Sequence, residues 1–153
     1  MSQGSSFRFR LERVRALRER REDLARQELA AAMTRLAGSR DRLRAVEERL
    51  DQLRAEQRAA TGPAQTVSAA DLRAQQAFVE HVEAQRAGGA HELTRHEAAV
   101  AERGSDLGRA ARERQTLERL RDRQRAEHDR EVRRREGLAL DEIALERFRR
   151  SAA

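Results

Sequence analysis

The chain has 153 residues, of which 39% are charged and only 3% aromatic, with a mean hydropathy of -0.95. That leaves too little apolar surface for a filled globular core. The net charge of +6 arises from 33 basic residues, every one of them Arg, and is spread over alternating acids and bases, so most of it describes a solvated helix surface laced with i,i+4 pairs. The absence of cysteine excludes both a disulfide framework and a thiolate metal site.

Residues 1–6 read as a disordered polar tail in which Ser5 or Ser6 is placed to cap the first helix. They lead into Arg8 and Arg10 without the apolar core of a secretion signal, and no apolar run approaches the ~18 residues of a membrane span. The expected location is therefore cytoplasmic, with membrane contact only through partners.

The first helix is expected over residues 7–60. It opens on Phe7, Phe9, Leu11, Val14 and Leu17, set among Arg8, Arg10, Arg13, Arg15 and Arg18. After Leu24 the phase shifts by a five-residue step to Leu29, where Leu29, Leu36, Leu43 and Leu50 begin a seven-residue series with Val46 and Leu53 as companions. Such a step predicts a local disturbance of a supercoil.

Residues 61–68 form the one clear break, holding the sole proline, Pro63. Ser68-Ala69-Ala70-Asp71 resembles a capping box with Asp in place of Glu, so a second helix is expected over residues 69–148, followed by a disordered tail, 149–153. In this helix Leu72, Val79, Leu93, Val100 and Leu107 recur at seven-residue intervals, Arg86 fills the skipped position, and Val82, Ala110 and Leu117 supply companions. That is a coiled-coil seam. At ~1.5 Å per residue the stretch would reach roughly 120 Å, too long to be wrapped by the rest of the chain, so a rod is predicted.

A short loop between two amphipathic helices favours an antiparallel hairpin. In such a pair the numbers of facing residues have a nearly constant total. Leu50 with Val79, Leu36 with Leu93 and Leu29 with Val100 each total 129, whereas Leu24 with Leu107, Val14 with Leu117 and Leu11 with Leu120 each total 131. The fold class expected is thus all-α: a two-helix antiparallel coiled-coil hairpin whose longer second helix overhangs at the open end. A homodimeric coiled coil is the alternative architecture. The register sets Arg86 opposite Leu43, and Gly88 and Gly89 beside it mark either a hinge or a close approach of the helices.

Beyond about Gln124 the second helix has no counterpart in the first. Residues 119–135 carry eight Arg and four acids, after which Leu138, Leu140, Ile143, Leu145 and Phe148 restore an apolar face. An unpaired face of this kind marks a partner site. Residues 8–22, with seven Arg and three acids, lie beside it in the hairpin register and make the open end basic.

Catalytic and metal chemistry find no support. His91-Glu92 and His96-Glu97 superficially imitate a zincin motif, but a spacing of five turns the two imidazoles ~140° apart on a helix. No phosphate-binding glycine loop occurs, and no cofactor is expected. Nucleic-acid binding is disfavoured, because aromatic stacking residues and a recognised DNA-binding motif are missing.

The opening Phe7-Arg8-Phe9-Arg10-Leu11-Glu12-Arg13-Val14, the segment Gln75-Gln76-Ala77-Phe78-Val79-Glu80-His81-Val82-Glu83 and the closing Leu140-Asp141-Glu142-Ile143-Ala144 resemble the flagellar export protein FliJ family. The resemblance covers nearly the whole chain in layout and is most specific at the C-terminal stretch. It implies a non-enzymatic stalk of the flagellar type III export apparatus, similar to the central stalk of rotary ATPases and peripherally associated with the inner membrane. Its partners would be the hexameric export ATPase, the export gate membrane protein and export chaperones. Carried over, the ring-facing residues would be Phe7, Phe9, Leu11, Arg13, Val14, Leu138, Asp141, Glu142, Ile143, Leu145 and Phe148, and the gate-facing ones Phe78 and Val82. The alternatives are the equivalent stalk of a virulence secretion system, a generic homodimeric scaffold and an Arg-rich nucleic-acid binder.

Overall fold

The computed structural model describes residues 7–60 and 68–151, so the expected caps Ser5 and Ser6, both extreme termini and all of the expected loop except Ser68 lie outside the described residues. Two helices carry the fold, α1 (Glu12–Ala60, 49 residues) and the longer α2 (Ala69–Ser151, 83 residues), and no strand occurs among the described residues. They pack antiparallel as a coiled-coil hairpin. The chain divides into a terminal unit, Met1–Asp23 with Arg109–Ala153, and a central unit, Leu24–Gly108.

Local chemistry explains the helix ends. At the start of α2 the Asp71 backbone N–H donates to Ser68 Oγ at 3.1 Å, while the Ser68 hydroxyl donates to Asp71 Oδ2 at 2.7 Å. The first bond is the N-cap contact to the N3 amide, and the second turns the Asp71 carboxylate onto the capping hydroxyl rather than onto the Ser68 backbone N–H of a full capping box. Acids stand in both first turns, Glu12 and Asp71, and arginines in both last turns, Arg58 and then Arg149 and Arg150, complementing the helix dipoles. The Ser151 hydroxyl donates to the Phe148 carbonyl at 2.9 Å, and α2 reaches Ser151 rather than ending at Phe148.

The first helix begins at Glu12, five residues later than the periodicity predicts. Glu12 N–H donates to the Phe9 carbonyl at 3.2 Å in a turn that precedes the helix. The reason is packing. Continued helically toward the N-terminus, the inward positions of α1 would fall at Leu11 and Arg8 and leave Phe9 outside the seam; unwinding lets the Phe9 side chain become buried.

The seam of the central unit is regular. On α1 the covered positions are Ala25, Leu29, Ala32, Leu36, Ser39, Leu43, Val46, Leu50, Leu53 and Gln57, in alternating steps of four and three. Leu24 is 58% exposed and lies off this seam, so the expected phase shift between Leu24 and Leu29 does not occur: small Ala25 holds the position. On α2 the corresponding positions are Val79, Val82, Gly89, Leu93, His96, Val100, Arg103 and Leu107. Leu50, Val79 and Val82 form the tightest apolar cluster, with Val46 and Leu53 packed against it.

The facing register also differs from expectation. A Cβ built on Gly89 would stand 3.3 Å from Leu43 Cδ1, so Gly89, not Arg86, faces Leu43, a pair totalling 132. Arg86 turns aside, its Nε donating to Glu47 at 3.2 Å. Carried along both helices, this total sets Ser39 opposite Leu93, Ala32 opposite Val100 and Ala25 opposite Leu107. Ala25, Ala32 and Ser39 of α1 thus each face a larger residue of α2. Ion pairs line both flanks: Arg54 with Glu83 at 2.8 Å, Arg40 with Glu97 and Arg42 with Glu92 at 3.3 Å each, and Arg103 with Glu28 at 3.2 Å. Their side chains are roughly half exposed, so each contributes at most about 1 kcal/mol, and the apolar seam dominates the stability.

Candidate partner-binding surface

In the terminal unit the seam changes character. The inward positions of α1 in the phase set downstream are Arg15, Arg18 and Glu22, and Glu22 is buried. Arg18 pairs with Glu113 across the helices, and the Arg114 guanidinium joins Glu22 to Glu118. Arg114 is consequently held protonated above the ordinary arginine range, chiefly by its hydrogen bond to Glu22 and then by that to Glu118. With charges in the seam, the apolar residues of this turn of α1 face outward: Leu11, Val14 and Leu17 are all exposed, Leu17 by 49%.

The segment ahead of α1 folds over α2. The Phe7 ring lies 5.8 Å from the His128 ring, tilted by 47°, so α2 is covered about one turn beyond Gln124. Arg15 clamps Glu12 with bonds of 2.9 and 2.7 Å, and this pairing holds the Glu12 carboxyl below the ordinary glutamate range. Between this segment and α2 opens a cleft of about 540 Å³ lined by Phe7, Arg8, Phe9, Arg10, Glu12, Arg13, Arg121 and Arg125. Sequence reading singled out Arg13, Phe7 and Phe9 here but not Arg8, Arg10, Arg121 or Arg125 as a group. The hairpin register carried the signal, because it brings residues 121–125 beside the chain's opening turns.

From Arg133 onward every described residue of α2 is exposed. Glu131 is gripped by Arg134 at 3.0 Å and by Arg135 at 3.0 Å, and both bonds hold its carboxyl below the ordinary range. Next come the uncovered apolar residues Leu138, Leu140, Ile143, Leu145 and Phe148, exposed by 49% at Ile143 to 70% at Phe148. At 100° per residue, Ile143, Leu140, Ala144, Phe148, Leu145 and Leu138 follow one another around roughly 220° of the helix, interrupted by Asp141 and Arg147. A helix that packs on one neighbour needs a stripe of only about 100°. This face is shaped for contact on more than one side. Asp141 and Glu142 are exposed on the same turns.

The sequence-derived residues therefore divide. Leu11, Arg13, Val14, Leu138, Asp141, Glu142, Ile143, Leu145 and Phe148 are exposed and Phe7 half-buried, while Phe9 turns inward as a packing residue. In the central unit Phe78 is 46% exposed, with the Arg49 guanidinium 5.9 Å from its ring centroid. It borders a recess of about 260 Å³ with Leu53, Glu56, Gln57, Ala74, Gln75 and Val79. Val82 is buried against Leu50 and is not presented to a partner. Burial of Val82 follows from its three-residue offset from Val79, which puts both on the seam.

His81 bonds Gln85 at 3.0 Å and His96 lies 3.5 Å from Glu92, both along α2 itself. Among the described residues no group of three or more His, Asp or Glu could hold a metal ion, and no helix is long and apolar enough to cross a membrane. The arrangement offers surfaces for proteins: a basic cleft, an outward apolar turn, and a wide apolar helix face.

No curated protein and no solved structure matches the chain. The family model of the flagellar FliJ protein, however, matches residues 7–153, nearly the entire length and both helices of the hairpin. The chain belongs to the FliJ family, coiled-coil proteins associated with flagellar export.

Proposed function

We propose that the protein is a non-enzymatic stalk of the flagellar type III export apparatus, its terminal unit inserting into the hexameric ring of the export ATPase. The observation that carries this reading is the uncovered apolar face of residues 138–148. Spread over roughly 220°, it fits a site that surrounds the helix, as the axis of a ring does, better than the flank of one further helix. The outward Leu11, Val14 and Arg13 and the half-buried Phe7 belong to the same unit and supply the second contact. Asp141 and Glu142 offer carboxylates to basic groups of the ring.

The central unit would link the ATPase to the export gate and to chaperones. Phe78, exposed beside its recess, is the gate-facing residue, and Val82, buried with Leu50 and Val79, supports that part of the hairpin by packing. Membrane contact comes through the gate protein.

The test combines a solution mass by light scattering with ATPase assays of the cognate ring, using the full chain and a form ending at Arg135. A monomer that raises ATPase activity and is captured by the ring only with residues 136–153 present is the expected result. A stable dimer that ignores the ATPase would overturn the proposal in favour of a scaffold.

A further inference from the structure

The cleft of the terminal unit gathers basic groups around one concavity. Five guanidinium groups, those of Arg8, Arg10, Arg13, Arg121 and Arg125, line it against the single carboxylate of Glu12. Glu12 is already committed, through two bonds, to Arg15 outside the lining. Arg121 is shared with its neighbour Asp122 at 3.1 Å. Among the described residues Arg8, Arg10, Arg13 and Arg125 make no ion pair, whereas Arg40, Arg42, Arg54 and Arg103 on the flanks of the hairpin are paired with carboxylates across the helices. Unpaired like charges converging on a concave surface raise a positive potential that an anion relieves.

We propose that this cleft receives an acidic peptide segment of a partner protein, its carboxylates on the Arg8, Arg10, Arg13 and Arg125 guanidinium groups and an apolar side chain against the Phe7 ring. Two features favour a peptide over a phosphate-bearing ligand. The half-buried Phe7 lines the cleft, and exposed Leu11, just before α1, and Val14, in its first turn, lie next along the chain, so a ligand of charge alone would leave this apolar surface wet. The volume of about 540 Å³ also far exceeds a single phosphate and suits several side chains. Planar guanidinium forks bind carboxylates in two-bond pairs, which fixes the direction of an extended segment. The identity of the partner rests on the stalk reading: the acidic segment would line the ATPase ring. The chemistry of the cleft does not depend on it.

The experiment uses the full chain and two probes, a fluorescein-labelled peptide of Glu-Glu-Leu repeats and inorganic tripolyphosphate, with binding followed by anisotropy and by competition at about 50 and 300 mM salt. The variant Arg8→Gln/Arg10→Gln/Arg125→Gln removes three exposed donors, and Arg44→Gln/Arg73→Gln/Arg95→Gln removes the same charge elsewhere. The peptide is expected to bind the wild type and the remote variant alike. The cleft variant should lose on the order of 30-fold in affinity, a few-fold per charge-assisted contact at partly exposed sites. Tripolyphosphate should compete only weakly. Equal losses in the two variants, or tripolyphosphate displacing the peptide at lower concentration than unlabelled peptide does, would overturn the assignment. Capture by the ATPase ring is scored in parallel. Peptide binding without ring capture would sink the stalk reading while leaving the cleft assignment standing, and ring capture insensitive to the cleft variant would sink the proposal while leaving the stalk.

Discussion

Gly88 and Gly89 are adjacent in α2, yet one lies against the first helix and the other does not. A methyl group at Gly88 would meet nothing within 4 Å, whereas at Gly89 it would stand 3.3 Å from Leu43 Cδ1. Both substitutions to Ala gain the same helix propensity, about 1 kcal/mol. Gly88→Ala should keep all of it. Gly89→Ala must displace the Leu43 methyl by a few tenths of an ångström, costing on the order of 0.5 to 1 kcal/mol in a packed seam. The expected gains are therefore about 1 kcal/mol for Gly88→Ala and near zero for Gly89→Ala. At about 2–4 °C per kcal/mol for a chain of this size, that is a rise of roughly 3 °C against almost none, read by thermal unfolding in far-UV circular dichroism. Gly89→Ala matching or exceeding Gly88→Ala would refute the close approach and the register built on it. A loss of stability in Gly88→Ala would refute a continuous helix at this point and restore the hinge.

Two further substitutions probe polar groups in the seam. Ser39 is 2% exposed and its Oγ has no hydrogen-bond partner, unlike the hydroxyls of Thr34 and Thr94, which donate to carbonyls four residues earlier; Ser39→Ala should raise stability by about 1–2 kcal/mol in urea unfolding, and a loss would mean that the hydroxyl is satisfied. Glu22 is buried beside Arg114, which also bonds Glu118, so Glu22→Leu alone should lower stability while Glu22→Leu with Arg114→Leu should recover or exceed that of the wild type; additive losses in the same unfolding assay would refute a coupled pair.

Most of the hairpin was legible because its signal is periodic. Leu29, Leu36, Leu43 and Leu50 against the series from Val79 to Leu107 specify two helices and their direction, and Ser68 with Asp71 marks the start of the second. The register was read three numbers off because only large residues were counted. Ala25, Ala32, Ser39 and Gly89 hold seam positions through smallness, a property that hydrophobic periodicity does not record. The uncovered face of residues 138–148 was legible for the complementary reason: five large apolar side chains recur where no partner sequence remains. The Arg cleft was legible only as a basic open end; its shape was not, since that depends on the unwinding of residues 7–11 and on where one buried aromatic, Phe9, finds room.

The exchange of inward and outward residues in the terminal unit ties these points together. A hairpin selected for stability alone would turn Val14 and Leu17 inward and leave Arg15, Arg18 and Glu22 in water. The phase set by Ala25, Leu29 and Ala32 does the reverse, placing charges in the seam. Val14 and Leu17 are 39% and 49% exposed, so each forgoes roughly half of the ~1.5–3 kcal/mol that full burial of such a side chain gives, and an ion pair in the seam does not make up the difference. That free energy is available only to whatever covers the apolar turn. The central unit holds its tightest apolar cluster, Leu50, Val79 and Val82, between its own two helices. The terminal unit, with apolar groups outside, a cleft of converging arginines and a wide apolar helix face beyond Arg135, is on the proposed stalk reading the part that a partner would complete.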